Sequence, residues 1–249
     1  MDSGVGGLSV YREIAEALPS EKYLYYSDNA NCPYGEKSRD FIIQRARQIT
    51  DHLISEGAQV IAIACNTATA AAIATLRAEY PIPFVGMEPA VKPAALGTVS
   101  GVIGVLATAG TLKSSKYLMN RDRYGSSVKV VESVGRGFVE LVESGRLEGE
   151  EAESTVRASL EPLIRSGADI IVLGCTHYPF LLPVLRKVAS QMGGSGIRFI
   201  DPAPAVARRL CDVLKEQGIG SEGLDAPDFS YECSGSDEAI RRIMLNLHV

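Results

Sequence analysis

An eleven-residue stretch recurs in this chain after 110 positions. Gly57-Ala58-Gln59-Val60-Ile61-Ala62-Ile63-Ala64-Cys65-Asn66-Thr67 returns as Gly167-Ala168-Asp169-Ile170-Ile171-Val172-Leu173-Gly174-Cys175-Thr176-His177. The two copies align without a gap, share Gly, Ala, Ile and Cys, and match apolar to apolar through the middle. Each is a short unbroken apolar run, as expected of a strand buried on both faces of a parallel sheet. Each also places a thiol where the strand stops and small polar residues begin. In open α/β sheets that carboxyl edge is where ligands bind. One cysteine per copy therefore points to two thiols addressing one ligand from opposite sides.

Short apolar runs alternate with helix-length amphipathic segments along the whole chain, the pattern of βαβ units. Strands are predicted near 23–26, 60–64, 83–86, 102–106, 128–131, 170–173, 198–200 and 229–232. Helices are predicted over 8–18, 39–55, 67–79, 111–120, 137–144, 150–166, 180–191, 203–217 and 236–246. In 39–55, for example, Ile42, Ile43, Ala46, Ile49 and Leu53 form one stripe. The repeat implies two similar α/β domains with mainly parallel sheets, related by a pseudo-twofold, with the active site in the cleft between them. The first would comprise 1–92 with 204–249 and carry Cys65; the second, 93–203, would carry Cys175.

Charge and cysteine usage narrow the function. With 25 basic and 30 acidic residues the net charge is −5, which gives no electrostatic footprint for nucleic acid. No apolar run approaches the ~18 residues of a membrane span. The first residues lack the basic and apolar regions of a signal peptide. Five cysteines at irregular spacing, without an export signal, suit reduced thiols in a cytoplasmic protein. No metal site is predicted, since no two cysteines lie within four residues and there are three histidines.

An ordinary cysteine packs as a small hydrophobe, which suits Cys211, on the apolar face of 203–217, and Cys233. Cys65 and Cys175 differ, because each stands at a strand exit with a helix soon after. A helix N-terminus lowers a thiol pKa from about 8.5 toward neutrality and makes thiolate available for proton transfer. His177, two residues beyond Cys175 among polar groups, is placed to deliver a proton or hold a thiolate. Asn66, Thr67 and Thr176 supply hydrogen-bonding groups at the same edges, and Thr108 and Thr111 follow strand 102–106. Asp2-Ser3-Gly4-Val5-Gly6-Gly7 is a glycine-rich loop entering helix 8–18. It is no dinucleotide fingerprint, because Ser9 stands at the third glycine position. Asp2 in it is a candidate carboxylate partner for one thiol. Pro33-Tyr34-Gly35 reads as a turn, and Glu143 by itself as a surface acid.

Together these segments resemble the glutamate racemase family. The resemblance rests on Asp2-Ser3-Gly4-Val5-Gly6-Gly7-Leu8, Pro33-Tyr34-Gly35-Glu36-Lys37-Ser38, Ala64-Cys65-Asn66-Thr67-Ala68, Gly86-Met87-Glu88-Pro89-Ala90 and Gly174-Cys175-Thr176-His177-Tyr178-Pro179, in that order. Ile200-Asp201-Pro202-Ala203 and Cys233-Ser234-Gly235-Ser236 extend it to the tail. The paired cysteines are shared with aspartate and hydantoin racemases, whereas Thr-His-Tyr-Pro after the second cysteine is the glutamate form. The resemblance implies a cofactor-independent racemase of free glutamate that supplies D-glutamate for peptidoglycan, usually as a homodimer. By it, Cys65 acts on D-glutamate with Asp2 assisting, and Cys175 acts on L-glutamate with His177 and Glu143 assisting. Asp2, Ser3, Tyr34, Gly35, Asn66, Thr67, Thr108, Thr111, Thr176 and His177 would hold substrate. A racemase for another amino acid, such as aspartate, and a non-catalytic regulatory protein on the same fold stand as alternatives.

Two departures carry expectations. Val134-Gly135-Arg136-Gly137 occupies the place where the family commonly has Cys-Pro, upstream of Glu143. The family also has an apolar strand before Asp2, of which this chain has only Met1. A slot in the sheet beside strand 60–64, with lowered stability and activity, is therefore expected.

Overall fold

The computed structural model describes residues 1–220 and 228–247. The described residues form eight strands: β1 (Lys22–Ser27), β2 (Ile61–Ile63), β3 (Phe84–Gly86), β4 (Val102–Ala107), β5 (Lys129–Val134), β6 (Ile170–Gly174), β7 (Arg198–Ile200) and β8 (Asp228–Cys233). The α-helices are α1 (Leu8–Ala17), α2 (Arg39–Ser55), α3 (Asn66–Glu79), α4 (Val91–Gly97), α5 (Ala109–Lys113), α6 (Ser115–Tyr124), α7 (Phe138–Glu143), α8 (Glu150–Arg165), α9 (Leu182–Gln191), α10 (Ala203–Gln217) and α11 (Glu238–Leu247). Every strand pairing among the described residues is parallel. The chain forms two compact units, Met1–Met87 with Ala203–Val249, and Glu88–Pro202. Among the described residues no helix is long and apolar enough to cross a membrane.

In the Glu88–Pro202 unit the strands run in the order β5-β4-β6-β7. All five residues of β6 are buried, as are five of the six in β4, so the unbroken apolar runs are the central strands. Lys129 and Glu132 of the edge strand β5 are exposed. One sheet face packs Ile103, Val105, Ile170 and Val172 against Val91 and Ala94 of α4 and Tyr117 of α6. The other receives α8.

In the first unit the described strands form two pairs, β1–β8 and β2–β3. Met1 and Asp2 link them. The Met1 amino group donates to the Ala62 carbonyl at 2.8 Å, and the Met1 carbonyl accepts from Ala64 N at 2.9 Å. One residue on, Asp2 N donates to the Tyr26 carbonyl at 3.0 Å, and the Asp2 carbonyl accepts from Asp28 N at 2.9 Å. This two-residue stub bonds to β2 on one side and β1 on the other, as the end of a parallel strand between them would. Behind it, between β1 and β2, lies a cavity of about 580 Å³ bordered by Leu24, Leu53, Val60, Ala62, Val10, Ile14, Leu210 and Leu214. This cavity borders strand 60–64. One face of the unit's sheet packs on α2 and α3 through Ile43, Ile49, Leu53, Ala72 and Leu76. The other packs on α1 and α10 through Val10, Ile14, Val206, Leu210 and Leu214.

Several local expectations are corrected. The predicted helix 111–120 is two helices, because Ser114 ends α5 and its side chain accepts from Tyr117 N at 3.2 Å to cap α6. Such local side-chain bonding favours a break over continuation. Helix α4 is an addition; its Pro93 falls in the first turn, where proline lacks no needed donor. Helix α9 begins at Leu182 rather than 180, after a 3-10 turn over Tyr178–Leu181. Cys211 and Cys233 are half-buried rather than core residues.

Candidate active site

Each cysteine of the repeat leaves its strand as a functional terminus, and the two do so differently. Cys65 is the N-cap of α3, its sulfur accepting from Ala68 N at 3.4 Å. A thiolate accepts such a bond better than a thiol, so the cap favours the ionised form. Ser3 Oγ lies 3.7 Å from the same sulfur. Met1 and Asp2 bring it there, since the Met1 carbonyl bonds to the residue before Cys65. Asp2 is buried and its carboxylate accepts from Gly4 N at 2.8 Å, closing the glycine-rich loop. Gly7 has to be glycine, because a Cβ there would stand 2.7 Å from Asp2 Cβ and 2.8 Å from the Tyr25 hydroxyl. Tyr25 in turn donates to the Gly4 carbonyl at 2.5 Å.

Asn66 and Thr67, in the first turn of α3, are buried with Cys65. Both polar atoms of the Asn66 amide are buried with no partner. An unsatisfied buried amide costs about 1–3 kcal/mol, which a ligand's hydrogen bonds would offset. Tyr34 and Gly35 lie in the 3-10 turn Tyr34–Glu36. Tyr34 is buried, packs in one apolar cluster with Cys65, and donates its hydroxyl to Asp28 Oδ2 at 2.5 Å. The structure thus brings Asp2, Ser3, Tyr34, Asn66 and Thr67 around Cys65.

In the second unit the register of β4 and β6 pairs Ala107 with Gly174, so Thr108 and Cys175 leave the sheet at the same level. Thr108 caps α5 and donates to the Thr111 hydroxyl at 3.0 Å. Cys175 Sγ lies 3.8 Å from His177 Nδ1, and His177 Nε2 lies 2.7 Å from Glu143 Oε1. His177 and Thr176 are buried and Glu143, at the end of α7, is half-buried. A carboxylate on Nε2 fixes the imidazole with its proton there and leaves Nδ1 to accept from the thiol. The Gly135 backbone, where the Cys-Pro pair was expected, lies against Tyr178. The Tyr178 hydroxyl donates to its carbonyl at 3.3 Å, and a Cβ at Gly135 would sit 2.5 Å from that hydroxyl. No disulfide engages any of the five cysteines.

The sequence did not single out Asp28 and Arg45. Asp28 is fully buried beyond the end of β1, and its carboxylate binds Tyr34, Arg45 and Asn31. Its place just past a strand's carboxyl end was the available signal.

A family model described as Asp/Glu/Hydantoin racemase matches residues 3–210. Curated relatives include a glutamate racemase of Stutzerimonas stutzeri, 47% identical over 244 residues that cover 98% of this chain and 90% of the relative. One from Ectopseudomonas mendocina is 51% identical over 219 residues, covering 88% and 82%. Among solved structures, the Escherichia coli glutamate racemase in complex with L-glutamate and the activator UDP-MurNAc-Ala superposes with a TM-score of 0.86. It is 34% identical and covers 99% of this chain and 92% of that one. With a shared motif order, paired thiols and near-complete coverage, the chain belongs to the Asp/Glu/hydantoin racemase family, as one of its glutamate racemases.

Proposed function

We propose that the chain interconverts L- and D-glutamate by two-base proton transfer at the α-carbon, with Cys65 and Cys175 as the acid–base pair. The observation that carries this reading is what each sulfur contacts. Cys65 has a helix amide, and Cys175 has the His177–Glu143 pair. From D-glutamate, Cys65 thiolate takes the α-proton while Cys175 thiol gives one to the opposite face. From L-glutamate the roles exchange, with His177 supporting the Cys175 thiolate. The electron pair left on the α-carbon delocalises into the α-carboxylate and is quenched by the incoming proton, so no outside electron acceptor enters. Asp2 supports Cys65. Ser3, Tyr34, Gly35, Asn66, Thr67, Thr108, Thr111, Thr176 and His177 hold the substrate, with neutral donors at Ser3, Asn66 and the threonines, which stabilise developing charge best when water is excluded.

D-glutamate made in this way would enter peptidoglycan, and we infer a cytoplasmic homodimer as the working form. The test is α-proton exchange in heavy water with each glutamate enantiomer, followed by chiral separation. Deuterium appearing in both enantiomers, with racemisation, supports the reading. Exchange with aspartate in preference to glutamate would shift it to an aspartate racemase, and no exchange at all would leave a binding protein.

A further inference from the structure

Asp28 ties together two loops that the functional reading assigns to substrate. Its backbone N–H donates to the Asp2 carbonyl at 2.9 Å, fixing the Asp2–Ser3 loop. Its carboxylate accepts from the Tyr34 hydroxyl at 2.5 Å, fixing the turn that carries Tyr34 and Gly35. Arg45 on α2 clamps the same carboxylate in two bonds, Nε to Oδ2 at 2.9 Å and Nη2 to Oδ1 at 2.6 Å. Asn31 adds contacts of 3.0 and 3.2 Å to its two oxygens. The bidentate fork sets the plane of the carboxylate, so the direction in which Tyr34 is held is set by α2.

The network pairs the Asp28 carboxylate with the Arg45 guanidinium and two neutral donors, Tyr34 and Asn31. Burial alone would push the Asp28 carboxyl up, but the bonds from Arg45, Tyr34, Asn31 and Ser234 outweigh it and hold the group below its usual value. Burial, reinforced by the Asp28 carboxylate, pushes the Tyr34 hydroxyl up. Tyr34 therefore keeps its proton and commits it to Asp28.

We propose that Asp28, oriented by Arg45, is a positioning residue of the racemase reaction, holding the Tyr34–Gly35 turn in register with Asp2–Ser3 so that substrate finds a preformed site. This rests on the functional reading above and adds residues that reading does not contain. Since Asp28 acts through Tyr34 and leaves both thiols in place, its loss weakens substrate binding more than proton transfer.

The experiment is a double-mutant cycle of Asp28→Asn and Tyr34→Phe, with KM and kcat measured from both enantiomers. Asp28→Asn is expected to raise KM at least tenfold in both directions while kcat changes less than threefold. In the Tyr34→Phe background the same substitution is expected to change KM less than twofold. Where Asp28→Asn yields no folded protein, Arg45→Lys takes its place in the cycle, with the same pattern expected. A folded variant with unchanged KM, a fall in kcat alone, or additive effects in the cycle overturns the positioning role. Absence of glutamate turnover in the unsubstituted chain would instead overturn the functional reading, and this role with it.

Discussion

His177 stands between Glu143 and Cys175, with its Nε2 2.7 Å from the carboxylate and its Nδ1 3.8 Å from the sulfur. The carboxylate sets the tautomer that leaves Nδ1 as acceptor toward the thiol. Glu143→Gln keeps the shape but presents an amide that can bond either tautomer. We expect kcat/KM to fall about 10–100-fold, less than the roughly 10²–10⁴-fold that a group transferring the proton itself contributes. The fall must be equal from either enantiomer, since mirror-image substrates have equal free energy and fix the ratio of the two values at one. Proton exchange is freed from that constraint, and deuterium entry into L-glutamate should fall more than entry into D-glutamate. An equal loss of both exchanges would remove Glu143 from the Cys175 half of the reaction.

The two cysteines should fail in opposite senses. A serine hydroxyl is too weak a base for this step, so neither Cys65→Ser nor Cys175→Ser should racemise glutamate measurably. Each retains one competent thiol, which can take a proton and return deuterium to the same face. Cys175→Ser should therefore wash deuterium into D-glutamate without inversion, and Cys65→Ser into L-glutamate. Mass spectrometry after chiral separation reads this directly. Cys211→Ser is the control and should retain activity. Near-native racemisation by either active-site variant would show that its cysteine is not a base.

The cavity between β1 and β2 predicts a gain of stability from added residues. The register set by Met1 and Asp2 continues into the space bordered by Leu24, Val60, Ile14 and Leu210. Five alternating β-branched residues placed ahead of Met1 would bond to both open edges and fill it. At about 1.5–3 kcal/mol per buried large side chain, five residues give roughly 7–15 kcal/mol before about 5–10 kcal/mol of backbone ordering entropy is subtracted, so a rise in Tm of several degrees is expected. Racemase activity should rise with it. A Gly-Ser extension of the same length should leave Tm unchanged. Equal melting of the two extended chains would mean that the cavity is no strand site.

Asp169 should make the second unit acid-sensitive. Its carboxylate accepts from the Thr98 hydroxyl, from Val99 N at 2.7 Å, from Ser100 N at 3.1 Å and from Ser100 Oγ at 3.0 Å. Burial would raise its pKa, but these four bonds outweigh it and hold the group far below the carboxylate range. The unfolded chain then binds more protons than the folded one as pH falls through about 4. Stability is therefore fully present above that pH and lost on further acidification. Asp169→Asn should melt lower at pH 7 and show a flatter dependence of Tm on pH between 5 and 2. An unchanged pH slope would show that other carboxylates govern acid unfolding.

The repeat made much of this legible. Val60-Ile61-Ala62-Ile63 and Ile170-Ile171-Val172-Leu173 are unbroken apolar runs, and such runs are read correctly because burial on both faces leaves no alternation to misread. The break at Ser114 was hidden, because a serine between Lys113 and Ser115 is compatible with helix, and only its side-chain bond to Tyr117 N decides otherwise. Asp2, Cys65, Cys175 and His177 could be named from their neighbours in sequence. Asp28 and Arg45 could not, since 17 positions separate them and the bond between them depends on how α2 docks. Glu143 was visible through resemblance alone; its bond to His177 spans 34 positions and no local pattern marks it.

Cys65 closes the first turn of α3 with its own sulfur, whereas Cys175 leans on an imidazole. The two copies of the repeat have thus parted in what each sulfur touches. A proton arriving at Cys65 weakens a helix cap, and one arriving at Cys175 can be shared with the imidazole it faces. The reaction has mirror symmetry between its two ends, but the catalyst does not. Solvent isotope effects measured from D- and from L-glutamate should therefore differ, and a reagent that alkylates thiolates should distinguish the two sulfurs although the substrate's enantiomers are thermodynamic equals.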